Sequence, residues 1–510
     1  MNLFVVAPVI VPLFSAAVLL LLRHSQGAQR VLATLSTVAS VVVAAVLMAQ
    51  VSSGGIQVVQ FGGWTAPFGI SFVADHLSAV MVLIASVMAL ASAVYALRDI
   101  DPERERSGFH PLFQVLLVGI NGAFLTGDLF NLYVWFEVLL ISSFVLLTLG
   151  GRRAQLEGGI KYVSVNLLSS MLFLAAIGLL YGLTGTLNMA DLAVELRHQD
   201  PGLVTTIAML FMVAFGIKAA VFPLFFWLPA SYHTPPIAIS AFFAGMLTKV
   251  GVYALMRVFT LLFTGDVGYT HTILLWVGAF TMVSGVLTAA AQSDVRKILS
   301  FHIISQIGYM IMGLALYTPL ALAGAVFYLI HNIVAKANLF LIAGIARRLT
   351  GSFDLGRIGG LFKAAPFLSA LFLIAALGLA GIPPLSGFWA KLLVVLAALE
   401  AGVWWIAAVA LGVGLLTLFS MTKIWQYAYW KPAPDDAPVG AAPSRLFYAP
   451  VVGLAALTVL LGLWSTPLIG VADAAAAELL DPSRYVGAVL GPEAAASLRA
   501  VLEASLGGDQ

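Results

Sequence analysis

Residues Leu129 to Leu147 read LFNLYVWFEVLLISSFVLL, a run long enough to cross a bilayer with one acid, Glu137, near its centre. Nearly every other residue in it suits lipid or a packed helix. A carboxylate at that depth costs roughly 2.5–3.5 kcal/mol on insertion scales. The stretch therefore predicts that Glu137 faces a bundle interior and has a partner there.

The surrounding chain of 510 residues is 61% hydrophobic and only 9% charged. A soluble protein needs about 25% charged residues to clothe its surface, so composition gives an all-α polytopic membrane protein. A formal charge of +2 offers no basis for a nucleic-acid partner. The absence of cysteine excludes disulfides and thiolate-ligated iron–sulfur clusters within the chain. The first apolar run, Leu3 to Leu22, is too long for a signal h-region and lacks a basic n-region, so it is expected to stay as a span.

Hydropathy at bilayer length gives about 14 transmembrane helices. They fall at 3–22, 31–51, 72–97, 110–127, 129–149, 160–183, 203–227, 237–262, 272–291, 297–317, 320–346, 366–399, 403–429 and 446–470. The seventh is interrupted at Pro223 and the twelfth at Gly381-Ile382-Pro383-Pro384. No soluble domain fits between spans, so the chain is one integral domain. The Ala-rich tail, 471–510, predicts a soluble or surface-lying helix pair.

Fourteen spans put both termini on one side of the membrane. Loops on the other side hold 17 Lys and Arg, running from Arg23 to Arg445, against 4 on the termini side: Arg197, Arg257, Arg484 and Arg499. The positive-inside rule then places both termini outside the cytoplasm of a cell (inner, plasma) membrane.

Four basic residues remain, Lys218, Lys249, Lys336 and Lys391, and all lie inside apolar runs, as do His302 and His331. Lys218 precedes Pro223 by five residues in GIKAAVFPLFFWLP. A proline inside a span frees backbone carbonyls, which membrane depth tolerates only where protein or water meets them. A lysine beside such a break is therefore a candidate ion site; the structural alternative is a lysine that snorkels to an interface. Lys249 sits among small residues in FFAGMLTKVGVYALM, and its structural alternative is a fixed pair with a carboxylate. Lys391 follows the second break in GIPPLSGFWAKLLVVL. His331 and Lys336 share LIHNIVAKANLFLIAG, too far apart to stack as an i,i+4 pair. His302, in SFHIISQIGYM, lies nearer a helix start, where a polar capping role competes.

The histidines do not fall at metal-ligand spacing, and no second deep carboxylate completes a site. Asp75, at the first turn of the third span, reads as interfacial. There is no phosphate-cradling glycine loop and no nucleophile with a base, so neither a cofactor nor ordinary enzymatic catalysis is expected. A faint internal repeat divides the chain: 1–109, three spans; 110–262, five spans; 272–429, five spans; and 430–510, the last span with its tail. Each five-span unit has a broken fourth helix, VFPLFFW or PPLSGFW, with a buried lysine beside it. Because five is odd, the units are inverted relative to each other, an architecture common in secondary transporters.

Burial disfavours a charged ammonium, and a nearby carboxylate restores it. One pKa unit is worth about 1.4 kcal/mol, and 100 mV across the membrane supplies about 2.3 kcal/mol per charge. The field alone therefore moves a titration by about 1.7 pH units. A row Glu137, Lys218, Lys249, His331/Lys336, Lys391, joined by water, would act as a chain of such switches. Ammonium and imidazole groups repel Na+ unless deprotonated, which favours protons as the moving charge. Glu137, outnumbered by lysines, is expected to set which lysine is protonated, with Lys218 as its partner.

Several segments, in order, resemble one family: GDLFNLYVWFEVLLISSF, KAAVFPLFFWLPASYHTPP, LTKVG, SFHIISQIGY, HNIVAKANLFLIAG and GIPPLSGFWAKL. Together, over about residues 70–430, they resemble the antiporter-like subunits shared by respiratory complex I and Mrp-type Na+(K+)/H+ antiporters, the D-type subunits of the latter most of all. The resemblance implies that Glu137 and Lys218 form the charged pair of a first half-channel and that Lys249 links toward a second. It assigns His331, Lys336 and Lys391 to that second half-channel. It also implies protons and Na+ or K+ as the transported ions, partner subunits of the A, B, C, E, F and G types, and contact with membrane lipid. Two positions depart from some complex I relatives: Asn332 stands where they have histidine, and Lys391 where they have glutamate. A proton-pumping subunit of complex I or of a membrane-bound hydrogenase would use the same row, and a non-conducting scaffold would not need it.

Overall fold

The computed structural model of the chain describes residues 2–434 and 443–507. The stretches 435–442, in the loop before the last span, and 508–510, at the end of the predicted tail, lie outside the described residues. The membrane helices are α1 (Leu3–Leu21), α2 (Gln26–Gly54), α3 (His76–Asp99), α4 (Phe109–Leu125), α5 (Leu129–Thr148) and α6 (Arg153–Thr184). They continue with α7a (Pro201–Ala219), α7b (Trp227–Ser231), α8 (Ile237–Leu261), α9 (Val267–Ala291), α10 (Val295–Leu316) and α11 (Pro319–Thr350). The last are α12a (Pro366–Ala380), α12b (Ser386–Glu400), α13 (Trp404–Ile424) and α14 (Tyr448–Leu463). Among the described residues twelve segments are long and apolar enough to cross a membrane, and α4 and α12a are shorter apolar helices, which accounts for about fourteen crossings.

Acidic residues that look expensive in a membrane chain start many of these helices. Asp75, Asp128, Asp200, Asp266 and Asp294 each accept a backbone N–H at the start of α3, α5, α7a, α9 and α10. The first amides of a helix have no internal acceptor, and a capping carboxylate supplies one.

The seventh and twelfth spans stop inside the bundle. After α7a, Ala220 turns into the left-handed region (φ 60°), and Pro223 lies in the stretch before α7b. The opened backbone is met by neighbours: Phe222 N–H donates to Thr281 Oγ1 of α9 at 2.9 Å, and the Trp227 indole donates to the Ile217 carbonyl at 3.0 Å. α12a ends at Gly381 (φ 91°), and Pro383 and Pro384 precede α12b. Here the Trp389 indole reaches the Gly462 carbonyl of α14 at 2.9 Å.

Burial sorts the helices into a centre and a rim. In the most apolar windows of α8 and α11 100% of residues are buried, and in α10 94%, against 39% in α2 and α6. A helix apolar all round belongs in the middle of a bundle. These three central helices carry Lys249, His302, His331 and Lys336.

Four sequence expectations change. The all-α chain includes an antiparallel hairpin, β1 (Gln57–Gln60) with β2 (Ser71–Ala74), so α3 begins at His76 and not at 72. The tail is three helices, α15 (Thr466–Leu480), α16 (Pro482–Leu490) and α17 (Pro492–Gly507), where a surface pair was expected. α15 packs on α11, and its small Ala472, Ala475 and Ala476 are buried, which lets the two backbones approach. Asp75, read as interfacial, caps the start of α3 but is only 2% exposed, and Arg257, placed in a loop by sequence, is 5% exposed inside the bundle. The two form an ion pair at 2.6 Å, flanked by the rings of Tyr253 and Tyr485. Removing Arg257 from the loop count leaves three basic residues on the termini side, which strengthens the charge asymmetry.

Candidate functional site

Glu137 departs most from expectation. Among the described residues it has no ion pair, and its Oε1, although screened from solvent, has no hydrogen-bond partner. The residue as a whole is only half-buried. Phe130, Val134 and Ile141 of α5 are 48%, 38% and 63% exposed, and Glu137 completes their 4-3-4 spacing. It therefore sits on the edge of the outward stripe of a rim helix, and the expectation of an interior position with a partner is corrected.

Lys218 does not pair with Glu137 either. It lies in the last turn of α7a, 5% exposed, and donates to the Asn166 carbonyl at 3.3 Å and Ser170 Oγ at 3.1 Å, both on α6. Its ammonium is 5.5 Å from the ring centroid of Phe136, next to Glu137, and within electrostatic reach of that acid. Lys218 stands in the last turn, where the negative end of the helix dipole favours a cation, and neutral oxygens of α6 hold its ammonium without a contact carboxylate. Lys218 is fully inside the protein and does not snorkel.

Lys249 is fully buried and donates to the Ala244 carbonyl of its own helix at 2.8 Å; it has no carboxylate partner among the described residues. Glycines bring its helix to both neighbours. A Cβ on Gly251 would lie 2.5 Å from Ala219 N and 2.7 Å from the Lys218 carbonyl carbon, so α8 packs directly on the broken end of α7a. A Cβ on Gly245 would touch Ile333 and Ala337 of α11 at 3.7 Å, one residue from Lys336. α8 thus bridges the two lysines of the outer and central helices.

Lys336 is fully buried, donates to the Leu299 carbonyl at 3.4 Å, and is within electrostatic reach of Lys249 and Lys391. His331 Nδ1 bonds Ser386 Oγ at 2.8 Å, at the first residue after the second break. His302, buried and not a cap, bonds Ser420 Oγ of α13 through Nε2 at 2.8 Å. Among the described residues the other ring nitrogens of both histidines have no protein partner, nor do Ser305 Oγ, Gln306 Nε2 or either amide atom of Asn332. Buried polar atoms of this kind are ordinarily met by ordered water. Lys391 donates to the Ala380 carbonyl at 2.7 Å, an oxygen released by the break, and lies 5.4 Å from the Tyr309 ring. It is half-buried at the wall of a cavity of about 480 Å³ lined by Ile382, Phe388, Leu411 and Leu415.

The structure thus brings the sequence-derived residues into one succession, half-buried at its two ends, Glu137 and Lys391, and sealed in the middle. Sequence reasoning missed the groups that hold the cations. Tyr162, Asn166 and Ser170 recur at four-residue spacing in an apolar helix, which is a readable polar stripe. Ser386 directly follows Pro383-Pro384-Leu385, also a visible cue, whereas Ser420 and Gly251 carry no cue in one sequence. Among the described residues no group of three His, Cys, Asp or Glu is placed to hold a metal ion.

The family model for the transmembrane region of NADH:quinone oxidoreductase and Mrp antiporters matches residues 126–417. The D-type subunit of the Na+/H+ antiporter of Alkalihalophilus pseudofirmus is 47% identical over 491 residues, covering 96% of this chain and all of that one. A chain of the Mrp complex from Dietzia sp. superposes with a TM-score of 0.91 at 34% identity, over 96% of this chain and 100% of that chain. A chain of respiratory complex I from Thermus thermophilus superposes with a TM-score of 0.80 at 27% identity, over 93% and 99%. The chain belongs to the NADH:quinone oxidoreductase/Mrp antiporter transmembrane family, and within it to the D-type antiporter subunits.

Proposed function

We propose that this chain moves protons across the membrane along Glu137, Lys218, Lys249, Lys336 and Lys391, with His302 and His331 beside the row, in exchange for Na+ or K+. The observation that carries the reading is that the buried lysines and histidines of the three central helices, Lys249, His302, His331 and Lys336, bond only neutral oxygens among the described residues. A lysine held by carbonyls and hydroxyls can give up its proton without leaving an unpaired buried carboxylate, which a fixed ion pair would do. The spare nitrogens of His302 and His331 extend the same chemistry through the second unit. Uncompensated ammonium groups repel Na+, which favours protons as the charge moving here.

In this reading residues 110–262 and 272–429 are two half-channels, opened at Pro223 and at Pro383-Pro384; residues 1–109 and 430–510 flank them. Glu137 and Lys391, the half-buried ends, call for cover by neighbouring subunits, in keeping with a multisubunit assembly containing A, B, C, E, F and G types. The distribution of basic residues, 17 against 3 once Arg257 is set aside, supports termini outside the cytoplasm of the inner membrane. Lys218→Ala in the assembled complex is expected to lower cation-driven proton movement in everted vesicles at least about tenfold, 1.4 kcal/mol in barrier. Unimpaired exchange would remove the reading. The likeness to a complex I chain supports a second reading, a proton-pumping subunit of a redox enzyme. Copurification separates them: flavin and iron–sulfur subunits indicate the redox pump, and small membrane subunits without cofactors the antiporter.

A further inference from the structure

Away from the row, five arginines line one polar cavity of about 420 Å³ at the basic face of the bundle. Its walls come from the end of α3, the segment after it, the start of α6, the turn before α8, the start of α10 and the end of α11. Two carboxylates are present and both are engaged. Asp101 pairs with Arg104, and Asp99 pairs with Arg348 at 3.2 Å while also accepting the Ala238 N–H at 3.0 Å. Nearby Asp294 caps its own helix through the Arg296 and Lys297 amides.

Arg152, Arg296 and Arg347 are left without an ion pair among the described residues. Arg296 Nε is screened from solvent and has no acceptor, and its guanidinium lies 3.9 Å from the Phe353 ring centroid, with Arg347 at 5.2 Å from the same ring. Burial first, and the neighbouring Arg152 second, push the Arg104 guanidinium below its usual value. Three guanidinium groups without an ion pair around one polar cavity favour an anion there. Guanidinium forks match phosphate oxygens bidentately, and basic pockets between membrane helices lie at the level of lipid headgroups.

We propose that this cavity is a binding site for a phosphate group, held by Arg152, Arg296 and Arg347. The same chemistry is offered by an anionic lipid headgroup and by a soluble phosphate, and the test distinguishes them. The full chain is placed in nanodiscs of phosphatidylcholine. One arm adds spin-labelled phosphatidylglycerol and reads the motionally restricted fraction; the other keeps neutral lipid and titrates inorganic phosphate by calorimetry.

Saturable binding in the first arm identifies the lipid source, and in the second the soluble one. In either arm Arg152→Gln/Arg347→Gln is expected to weaken binding about 25-fold, about fivefold per guanidinium. Lys363→Gln, a basic loop change outside the cavity, is expected to leave it within twofold. Melting temperature confirms that each variant is folded, and if the double variant does not fold, Arg347→Gln alone is read for its fivefold loss. No saturable binding in either arm, or equal binding by the folded variant, overturns the proposal.

Discussion

The two five-helix units share a plan and differ in how they hold charge. The first has one acid at bilayer depth and two buried lysines: Lys218, at the closed end of a half-helix, bonds Asn166 and Ser170, and Lys249 bonds the Ala244 carbonyl. The second has no deep acid, carries two buried lysines and two buried histidines, and leaves six buried polar atoms between His302 and Asn332 without a partner among the described residues. Its broken helix turns the relation round: Lys391 lies after the break and reaches back to the Ala380 carbonyl, whereas Lys218 lies before it. The second break therefore supplies the oxygen that meets its lysine, whereas Lys218 is met by oxygens of the neighbouring α6. Among the described residues, unpartnered buried atoms also occur in the first unit, Tyr232 Oη and Thr248 Oγ1 among them, but there they are scattered along the chain.

The largest effect expected from breaking this comparison is on stability. The first unit is pinned to the hairpin side by Asp75–Arg257, an ion pair whose members are 2% and 5% exposed. Asp75→Asn strands the guanidinium and is expected to cost about 3–5 kcal/mol, read as a lower melting temperature in detergent. A change under about 1 kcal/mol would mean that Tyr253 and Tyr485 suffice to hold Arg257.

Next come the glycines at the two breaks. Gly387→Ala would drive its Cβ into the Gly378 carbonyl and within 2.8 Å of His331 Nε2, while Gly251→Ala would meet the Lys218–Ala219 backbone. Each is expected to destabilise by about 1–3 kcal/mol, with the Gly387 variant worse. Equal stabilities with lost exchange would show that the contacts position the row more than they hold the fold.

Glu137→Gln probes the half-buried end. It is expected to slow exchange severalfold in vesicles with little change in melting temperature, because the acid tunes its neighbours and has no contact ion pair to lose. A normal rate would contradict that role.

The smallest effect concerns pH. His233, in the turn before α8, is held below its usual pKa by burial first and by Arg296 second. A histidine lowered in the folded state binds fewer protons than in the unfolded chain, so its contribution is present above about pH 6.5 and is lost as pH falls through the folded value. His233→Gln is expected to move the acid-unfolding midpoint slightly downward, and an upward shift would reverse the sign.

Much of this molecule is legible in its sequence. The spans and breaks follow from apolar length and from prolines at 223, 383 and 384, because a bilayer imposes the same demand on each segment separately. The succession Lys218, Lys249, Lys336, Lys391 was legible for the same reason: cations in apolar runs stand out. The partners were not. Glu137 and Lys218 attract in a sequence reading because one is the only deep acid and the other the lysine beside a break. In space the helix end turns Lys218 to α6, and Glu137 falls on the outward stripe of α5. Arg257 read as a loop residue because it lies near a span end, where a few ångströms of depth decide between water and a buried pair.

By itself the sequence determined how many times the chain crosses the membrane, where two helices must stop, and that four lysines stay inside. Those outcomes depend on transfer energies summed along one segment at a time. Only the tertiary structure decided which oxygens meet each cation, that Asp75 and Arg257 share a buried pair, and that Glu137 and Lys391 lie half-open at the two ends. Those depend on how each helix is rotated and how closely it approaches its neighbour. That is set by glycines such as Gly251 and Gly387, whose role appears only once the facing backbone is in place.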